Sequence, residues 1–153
     1  MKKPLKRHKA LIPLSRQHHY GLLLSWKLRE GFKKNIDLER MKNYTDWFWQ
    51  YHLIPHFDTE EQHIFPILGR ENDLVRKAIT EHRRLKDLFN EAVEVKSALQ
   101  AIEEELQSHI RYEERVLFQE IQEIATPAQL AKIEEIHQES KTAEEWEDEF
   151  WLK

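Results

Sequence analysis

Residues 99–124, LQAIEEELQSHIRYEERVLFQEIQEI, decide the fold class predicted for this chain. The segment contains neither glycine nor proline, and its apolar side chains recur with the period of one α-helical face instead of the alternation of a strand. We therefore predict one long helix here and an all-α fold for the whole chain. The apolar positions are Leu99, Ile102, Leu106, Ile110, Leu117, Ile121 and Ile124.

Three further segments have the same helical period, and most of the three glycines and five prolines lie near segment ends. Asp37 is a typical N-cap for the second segment, and Gly31 is placed where a C-cap glycine would end the first. Pro55 lies inside the second segment and predicts a kink or a break near Tyr51. The four predicted helices are residues 14–32, 38–68, 74–89 and 99–124.

The C-terminal part of the chain predicts a shorter helical segment. Thr126 followed by Pro127 is a typical helix start, and Trp146, Phe150 and Trp151 are spaced to share one helical face. We expect this face to pack on the rest of the chain, with a homodimer contact or a protein partner as the alternative. The prediction is an up-down-up-down four-helix bundle at residues 14–125, after a basic arm at 1–13 and before a helical extension at 126–153 that packs on the bundle.

Composition excludes several classes of protein. The chain has no cysteine, so disulfide scaffolds and thiolate metal sites are excluded. Its 153 residues contain no apolar run of the roughly 20 residues that a membrane helix needs. The N-terminus lacks the apolar stretch of a signal peptide. Lys and Arg total 24 against 28 Asp and Glu, and a short basic arm is no nucleic-acid footprint. We therefore expect a cytoplasmic protein that binds neither nucleic acid nor membrane.

One pattern of ionisable residues occurs twice. Residues 56–65, HFDTEEQHIF, and 109–118, HIRYEERVLF, both read H-x-x-x-E-E-x-x-(I/L)-F. His56 with Glu60, and His109 with Glu113, are four residues apart and therefore share a helix face. Ile64 continues the first of these faces by four more residues, so we expect the pairs to point inward. Buried carboxylates and imidazoles need compensation, which a metal cation can provide.

The other two predicted helices contribute further histidines. His82 in the third helix faces the core by its spacing to the apolar residues that follow it. The first helix contains both His18 and His19; the preceding Gln17 favours His18, whereas the spacing to Leu22 favours His19. The candidate metal ligands are therefore His18, His19, His56, Glu60, His82, His109 and Glu113.

Ligand type and number indicate the kind of metal site. Imidazole and carboxylate without thiolate suit iron, zinc or manganese. A single structural zinc takes four ligands, fewer than the candidates available. Two glutamates from different helices can each bridge a pair of ions inside a helical bundle. The residues therefore predict a dinuclear centre.

In these residues the chain resembles the hemerythrin-like, or HHE cation-binding, family over roughly residues 14–123. The resemblance is carried by a first-helix histidine, by the two repeated His/Glu pairs and by Glu81-His82. It implies an up-down bundle with two non-haem irons, zinc or manganese being the alternatives. It also implies that Glu60 and Glu113 bridge the irons and that the function is to bind or sense dioxygen, nitric oxide or a related small oxidant, or to handle iron under stress.

The chain departs from the oxygen-carrying members of that family at one position. Those proteins have a second third-helix histidine four residues from the first, whereas this chain has Ala78 and Lys86 on either side of His82. The departure leaves one iron short of a histidine, with an open position or a ligand from Glu61, Glu81 or Glu114. Open coordination favours reaction with oxygen or peroxide over reversible storage.

Two other functions compete with a binding or sensing role. The same ligands suit a ferroxidase or peroxidase enzyme, with Tyr20, Tyr51 or Tyr112 as electron donors. A helical interaction module with zinc or another structural metal is the other alternative, and its partner would bind the C-terminal aromatic face. Of the three we favour a metal- and oxygen-binding protein over a defined enzyme.

Overall fold

The computed structural model describes residues 6–138 and 146–152, with the side chains of 137 and 138 excepted. Every regular element within those ranges is helical and none is a strand, which confirms the predicted all-α class. No helix in this described part is long and apolar enough to cross a membrane. Residues 1–5 of the predicted basic arm, and 139–145 and 153 of the predicted extension, lie outside the described residues.

Within the described residues five helices follow one another, and two of them are composite. Helix α1 is Ile12–Lys33 and helix α3 is Asp73–Phe89. Helix α2, residues 38–64, consists of Leu38–Phe48, a π-helical turn Trp49–Leu53, an α-helical piece Ile54–Thr59 and a second π-helical turn Glu60–Ile64. Helix α4, residues 95–124, consists of Val95–Tyr112, a π-helical turn Glu113–Leu117 and Phe118–Ile124. Helix α5 is Pro127–Gln138, and the 3-10 turns are Phe65–Ile67 and Phe150–Leu152.

The helix starts follow the expected capping chemistry. The side chain of Asp37 accepts a hydrogen bond from the backbone N–H of Glu39 at 3.0 Å, which confirms the predicted N-cap of α2. Asn72 caps α3 in the same way, accepting from the N–H of Leu74 at 2.8 Å. Thr126 and Gln129 cap each other reciprocally at the start of α5.

The sequence predicts an interruption of the second helix near Tyr51, and the α-helical pattern changes there to the π-helical turn Trp49–Leu53, before the helix continues through Pro55. The predicted end of the first helix at Gly31 is wrong. Gly31 lies inside α1, which ends two residues later. A Cβ on Gly31 would lie 2.8 Å from the Met41 side chain and 3.0 Å from Phe150, so this glycine permits close packing.

The buried apolar residues form two clusters, and each long helix runs from one cluster to the other. Helix α1 contributes Leu14 to one cluster and Leu24 to the other, and α2 reaches the same two clusters in the reverse order. Helix α3 again follows the order of α1, and α4 that of α2. Phe150 and Trp151 are buried in the cluster that contains Leu24, where both rings contact Tyr44.

Candidate metal centre

Six polar side chains are buried between the two apolar clusters, and none is more than 4% exposed. Each of the four long helices contributes at least one of them. Helices α2 and α4 each contribute a histidine and the glutamate four residues later, while α1 and α3 each contribute one histidine. The six residues are His18, His56, Glu60, His82, His109 and Glu113.

These six residues form two groups of four that can each hold a metal ion. One group is His18 and His56 with both glutamates, and the other is His82 and His109 with the same two glutamates. Within each group, one donor atom per residue lies within 4.8 Å of all the others. Glu60 and Glu113 belong to both groups. We refer to the two places as the His18/His56 position and the His82/His109 position.

The Nε2 atoms of the histidines point towards the two shared carboxylates. His56 Nε2 is 3.4 Å and His82 Nε2 is 3.2 Å from Oε1 of Glu60. His109 Nε2 is 3.1 Å from Oε2 of Glu113, and His18 Nε2 is 2.8 Å from Oε1 of the same residue. Nitrogen donors from four helices therefore converge on one pair of carboxylates.

Most of these inward atoms have no hydrogen-bond partner. They are Nε2 of three histidines, both carboxylate oxygens of Glu60 and one of Glu113: His56 Nε2, His82 Nε2, His109 Nε2, Glu60 Oε1, Glu60 Oε2 and Glu113 Oε2. An unsatisfied buried polar group costs about 1–3 kcal/mol, and more when it is charged. A bound cation would satisfy these lone pairs together, and the donor set therefore fits a metal.

An outer layer of side chains holds the opposite nitrogen of each ring. In a neutral imidazole that donates Nδ1–H, Nε2 is left free to bind a metal. Each Nδ1 lies 2.6–2.8 Å from a side-chain oxygen of a different helix: His56 with Gln17, His82 with Glu61, His109 with Glu81 and His18 with Glu114.

The outer layer forms a closed ring around the centre. Each member precedes or follows a ligand in sequence, yet it contacts the histidine of a different helix. An outer side chain of α1 contacts the histidine of α2, one of α2 contacts that of α3, and one of α3 contacts that of α4. An outer side chain of α4 contacts the histidine of α1, which closes the ring. Each long helix therefore supplies an inward-pointing donor and also a side chain that orients the histidine of a neighbouring helix.

The structure changes the expectations for several predicted residues. Glu61, Glu81 and Glu114 do not join the two donor groups, because each contacts the outer nitrogen of a histidine. The expected shortage of one histidine does not arise either, since each position has two. His18 lies in the centre, whereas His19 is exposed and stands outside both groups.

Sequence reasoning missed the outer layer and the π-helical turns. Each of the two bridging candidates, Glu60 and Glu113, is the first residue of a π-helical turn. Such turns occur frequently at functional sites. The available signal was the glutamate doublet of the repeated pattern, in which the first carboxylate points inward and the second contacts a histidine of the next helix.

Charges and burial distinguish the two shared carboxylates. Burial raises the pKa of Glu60 well above its usual range, and the charge of Glu113 raises it further. Burial also opposes ionisation of Glu113, but the positive charge of His109 and hydrogen bonding to histidines hold its pKa well below the usual range. Burial lowers the pKa of His109, but the nearby Glu113 and Glu81 outweigh burial and raise it to about 9. The surroundings thus favour the ionised form of Glu113 and the protonated form of His109, and they disfavour the ionised form of Glu60.

Aromatic rings cover two of the histidines. The ring of Phe57 stacks on His82 with centroids 3.8 Å apart. Phe118 stacks on His18 at 5.3 Å, and Arg7 from the N-terminal segment lies over the Phe118 ring. This packing limits the access of water to the inward atoms and strengthens their interaction with any bound cation.

No protein-family model matches the chain, and comparison with curated proteins and with solved structures found no match. The assignment of a metal centre therefore rests on the burial, the distances and the unpartnered donor atoms of these six residues. Their arrangement can hold metal ions, and two groups with shared carboxylates are available for them.

Proposed function

We propose that this chain is a non-haem di-iron protein of the hemerythrin-like type that binds or senses dioxygen, nitric oxide or a related small oxidant, or handles iron under stress. The observation that carries the proposal is the pair of donor groups that share Glu60 and Glu113. Two carboxylates common to two sets of histidines are the arrangement that a pair of adjacent cations requires.

The donor types favour iron over the alternatives. Each position offers two imidazoles and two carboxylates, and the chain has no thiolate. A single tetrahedral zinc would be satisfied by four donors and would leave two of the six buried groups without a function. Zinc and manganese remain the alternative metals, and elemental analysis distinguishes them.

The course of the helices supports an up-down-up-down four-helix bundle. Helices α1 and α3 run from the cluster containing Leu14 to that containing Leu24, and α2 and α4 run the opposite way. The His/Glu layer lies between the clusters, at mid-height in such a bundle. This placement keeps both positions away from bulk water.

Each group of residues has a defined task in the proposal. Glu60 and Glu113 would bridge the irons, and the two histidine pairs would complete the protein ligands. The outer layer holds each ring in the tautomer that leaves Nε2 free for binding, and Phe57 and Phe118 exclude water. A bound ferrous pair would supply the electrons that a small oxidant accepts. Four protein donors at each position leave coordination sites for an external ligand.

A ferroxidase or peroxidase enzyme is the second candidate, and the position of one tyrosine favours it. Tyr112 directly precedes Glu113, is partly buried, and donates its hydroxyl to the carbonyl of Leu74 at 2.8 Å. Tyr20 and Tyr51, in contrast, are 46% and 54% exposed. Tyr112 is therefore the best placed of the three as a one-electron donor, and steady consumption of peroxide would distinguish this function.

The interaction-module alternative loses its main support. Phe150 and Trp151 are buried against Tyr44, and Trp146 contacts Tyr44 and Trp47. The C-terminal aromatic face is thus covered within the chain. We therefore assign no partner to this face.

Elemental analysis of protein purified without added metal tests the proposal, together with its absorption spectrum before and after reduction. We expect about two irons per chain and ferric absorption that disappears on reduction and returns in air. His56→Ala and His109→Ala should both lower the iron content, while the exposed His19→Ala serves as the matched control. One zinc per chain, or no metal at all, would contradict the proposal.

A further inference from the structure

The outer ring of side chains differs in charge between the two metal positions. Both rings of the His82/His109 position donate Nδ1–H to carboxylates, those of Glu61 and Glu81. At the His18/His56 position only His18 has a carboxylate partner, because His56 donates to the neutral amide oxygen of Gln17 at 2.6 Å. Gln17 is therefore the one uncharged member of the ring.

Neighbouring cations do not remove this difference. Glu114, which accepts from His18, lies 3.6 Å from the guanidinium of Arg7 and also accepts the hydroxyl hydrogen of Ser15, whose Oγ is 2.9 and 3.0 Å from the two carboxylate oxygens. Glu81 pairs with Lys77 in the other half of the ring. The charge of Arg83 also acts on Glu61. The two halves therefore differ in the group that accepts Nδ1–H directly, which is the carboxylate of Glu61 in one half and the amide of Gln17 in the other.

Glu60 and Glu113 belong to both donor groups, so the kind of carboxylate donor does not distinguish the two positions. Each position also has two imidazoles, so the number and type of inner donors are the same. The outer partners are the remaining chemical difference between the two donor groups.

A carboxylate that accepts Nδ1–H increases the electron density at Nε2 and makes the ring a stronger ligand. A neutral amide orients the ring without this effect.

We propose that the two metal positions are unequal and that Gln17 sets the lower affinity of the His18/His56 position. The first divalent cation then occupies the His82/His109 position, and the second binds beside Gln17. This inference rests on the proposed dinuclear centre and adds an order of loading to it. Gln17 acts through His56 as a positioning residue that also tunes the ligand.

Titration of the metal-free protein with Co²⁺ tests the inference, with calorimetry and visible absorption as readouts. The wild type should bind two ions in steps of different affinity. Gln17→Glu places a carboxylate of nearly the same shape at His56 and should strengthen the weaker step roughly tenfold, while the stronger step stays unchanged. Gln17→Ala should weaken the weaker step, which gives two variants of one residue with opposite expected signs.

The matched control is Gln62→Glu, which makes the same charge change at an exposed residue next to Glu61. It should alter neither step. Glu61→Gln is the mirror variant and should weaken the stronger step roughly tenfold. His82→Ala should remove the stronger step and His56→Ala the weaker one, which assigns each step to a position.

The outcomes separate this inference from the proposal on which it rests. Two equal steps in the wild type, or an unchanged weaker step in Gln17→Glu, would overturn the inference and leave the dinuclear centre standing. The absence of Co²⁺ binding in the wild type would overturn both. If Gln17→Glu does not fold, as judged by helix content, Glu61→Gln tests the same inference. An unchanged stronger step in that variant would overturn it.

Discussion

Segments 56–65 and 109–118 have the same sequence pattern and the same local structure, yet their glutamates differ in chemistry. In both segments a buried histidine is followed four residues later by a buried glutamate that starts a π-helical turn. Burial raises the pKa of Glu60, whereas the charge on His109 and hydrogen bonds to histidines lower that of Glu113. The comparison shows that a repeated sequence sets local geometry, while neighbours from other helices set the charge.

The reason for the difference is that two adjacent buried carboxylates do not both ionise without a cation. His18 and His109 lie closest to Glu113, at 2.8 and 3.1 Å, and their pKa values are raised. His56, beside Glu60, has a pKa that burial lowers well below its usual value. A bound metal pair would remove this asymmetry by compensating both carboxylates.

The largest expected effect on stability comes from substitutions that test whether Glu60 and Glu113 differ in charge. Glu113→Gln removes the counter-charge of two buried histidines and should destabilise the metal-free protein by about 3–5 kcal/mol, as measured by chemical denaturation. Burial and the charge of Glu113 disfavour the ionised form of Glu60, so Glu60→Gln should leave the stability of the metal-free protein unchanged or increase it. Both variants should lose metal. Equal destabilisation by the two substitutions would show that the two carboxylates are equivalent.

The paired histidines provide a second, smaller contrast. His109→Ala leaves Glu113 without its main cationic partner and should cost the metal-free protein about 1–3 kcal/mol more than His56→Ala. The latter removes a ring that is neutral in the folded state. Thermal melting of both metal-free variants measures the difference, and a larger loss in His56→Ala would contradict the assigned charges.

Acidity should affect the metal-free and metal-loaded proteins differently. The raised pKa values of His18 and His109 stabilise the metal-free fold below the ordinary value of 6.5, and this stability is lost as pH rises towards about 9. The lowered pKa of Glu113 stabilises the metal-free fold above the ordinary carboxyl value of 4.5. This stability is lost as pH falls through the pKa of Glu113 in the folded state. Between pH 4.5 and 6.5 the raised pKa of Glu60 makes the folded state less stable as pH rises, whereas the lowered pKa of His56 makes it more stable.

The metal-free protein should therefore melt at its highest temperature between about pH 4.5 and 6.5. The metal-loaded protein should be most stable above this window, because protons compete with metal for the histidines below about pH 6. Melting curves from pH 4 to 9 with and without metal check both statements. Full retention of metal at pH 4 would contradict a centre rich in histidine.

The smallest effect sharpens the choice between two adjacent histidines. His18→Ala should lower the bound metal because it removes the imidazole that contacts Glu113. His19→Ala should leave metal content and melting temperature unchanged, since His19 is exposed. Metal analysis of the two variants side by side is sufficient. A loss of metal in His19→Ala would contradict the assignment of His18 as the first-helix ligand.

The helical period predicted the fold class and the inward faces of α2, α3 and α4, because apolar residues mark those faces clearly. It left His18 and His19 open, since adjacent residues lie only about 100° apart on a helix and both lay near the apolar face. Packing against α4 decides between them, because His18 contacts both Glu113 and Glu114.

The π-helical turns and the outer ring were beyond sequence reasoning for a different reason. A π-helical turn is defined by its backbone hydrogen bonds, and Pro55 alone indicated only that the α-helical pattern would be disturbed. The partner of each outer residue depends on which helices are neighbours. In the sequence Gln17 favours its neighbour His18 as the ligand, but its side chain contacts His56 of the next helix.

Anomalous scattering at the iron edge from crystals of the iron-loaded protein tests the central claim most directly. The account predicts two peaks, one beside His18 and His56 and the other beside His82 and His109, both in contact with Glu60 and Glu113. A single peak, or iron bound away from these six residues, would contradict it.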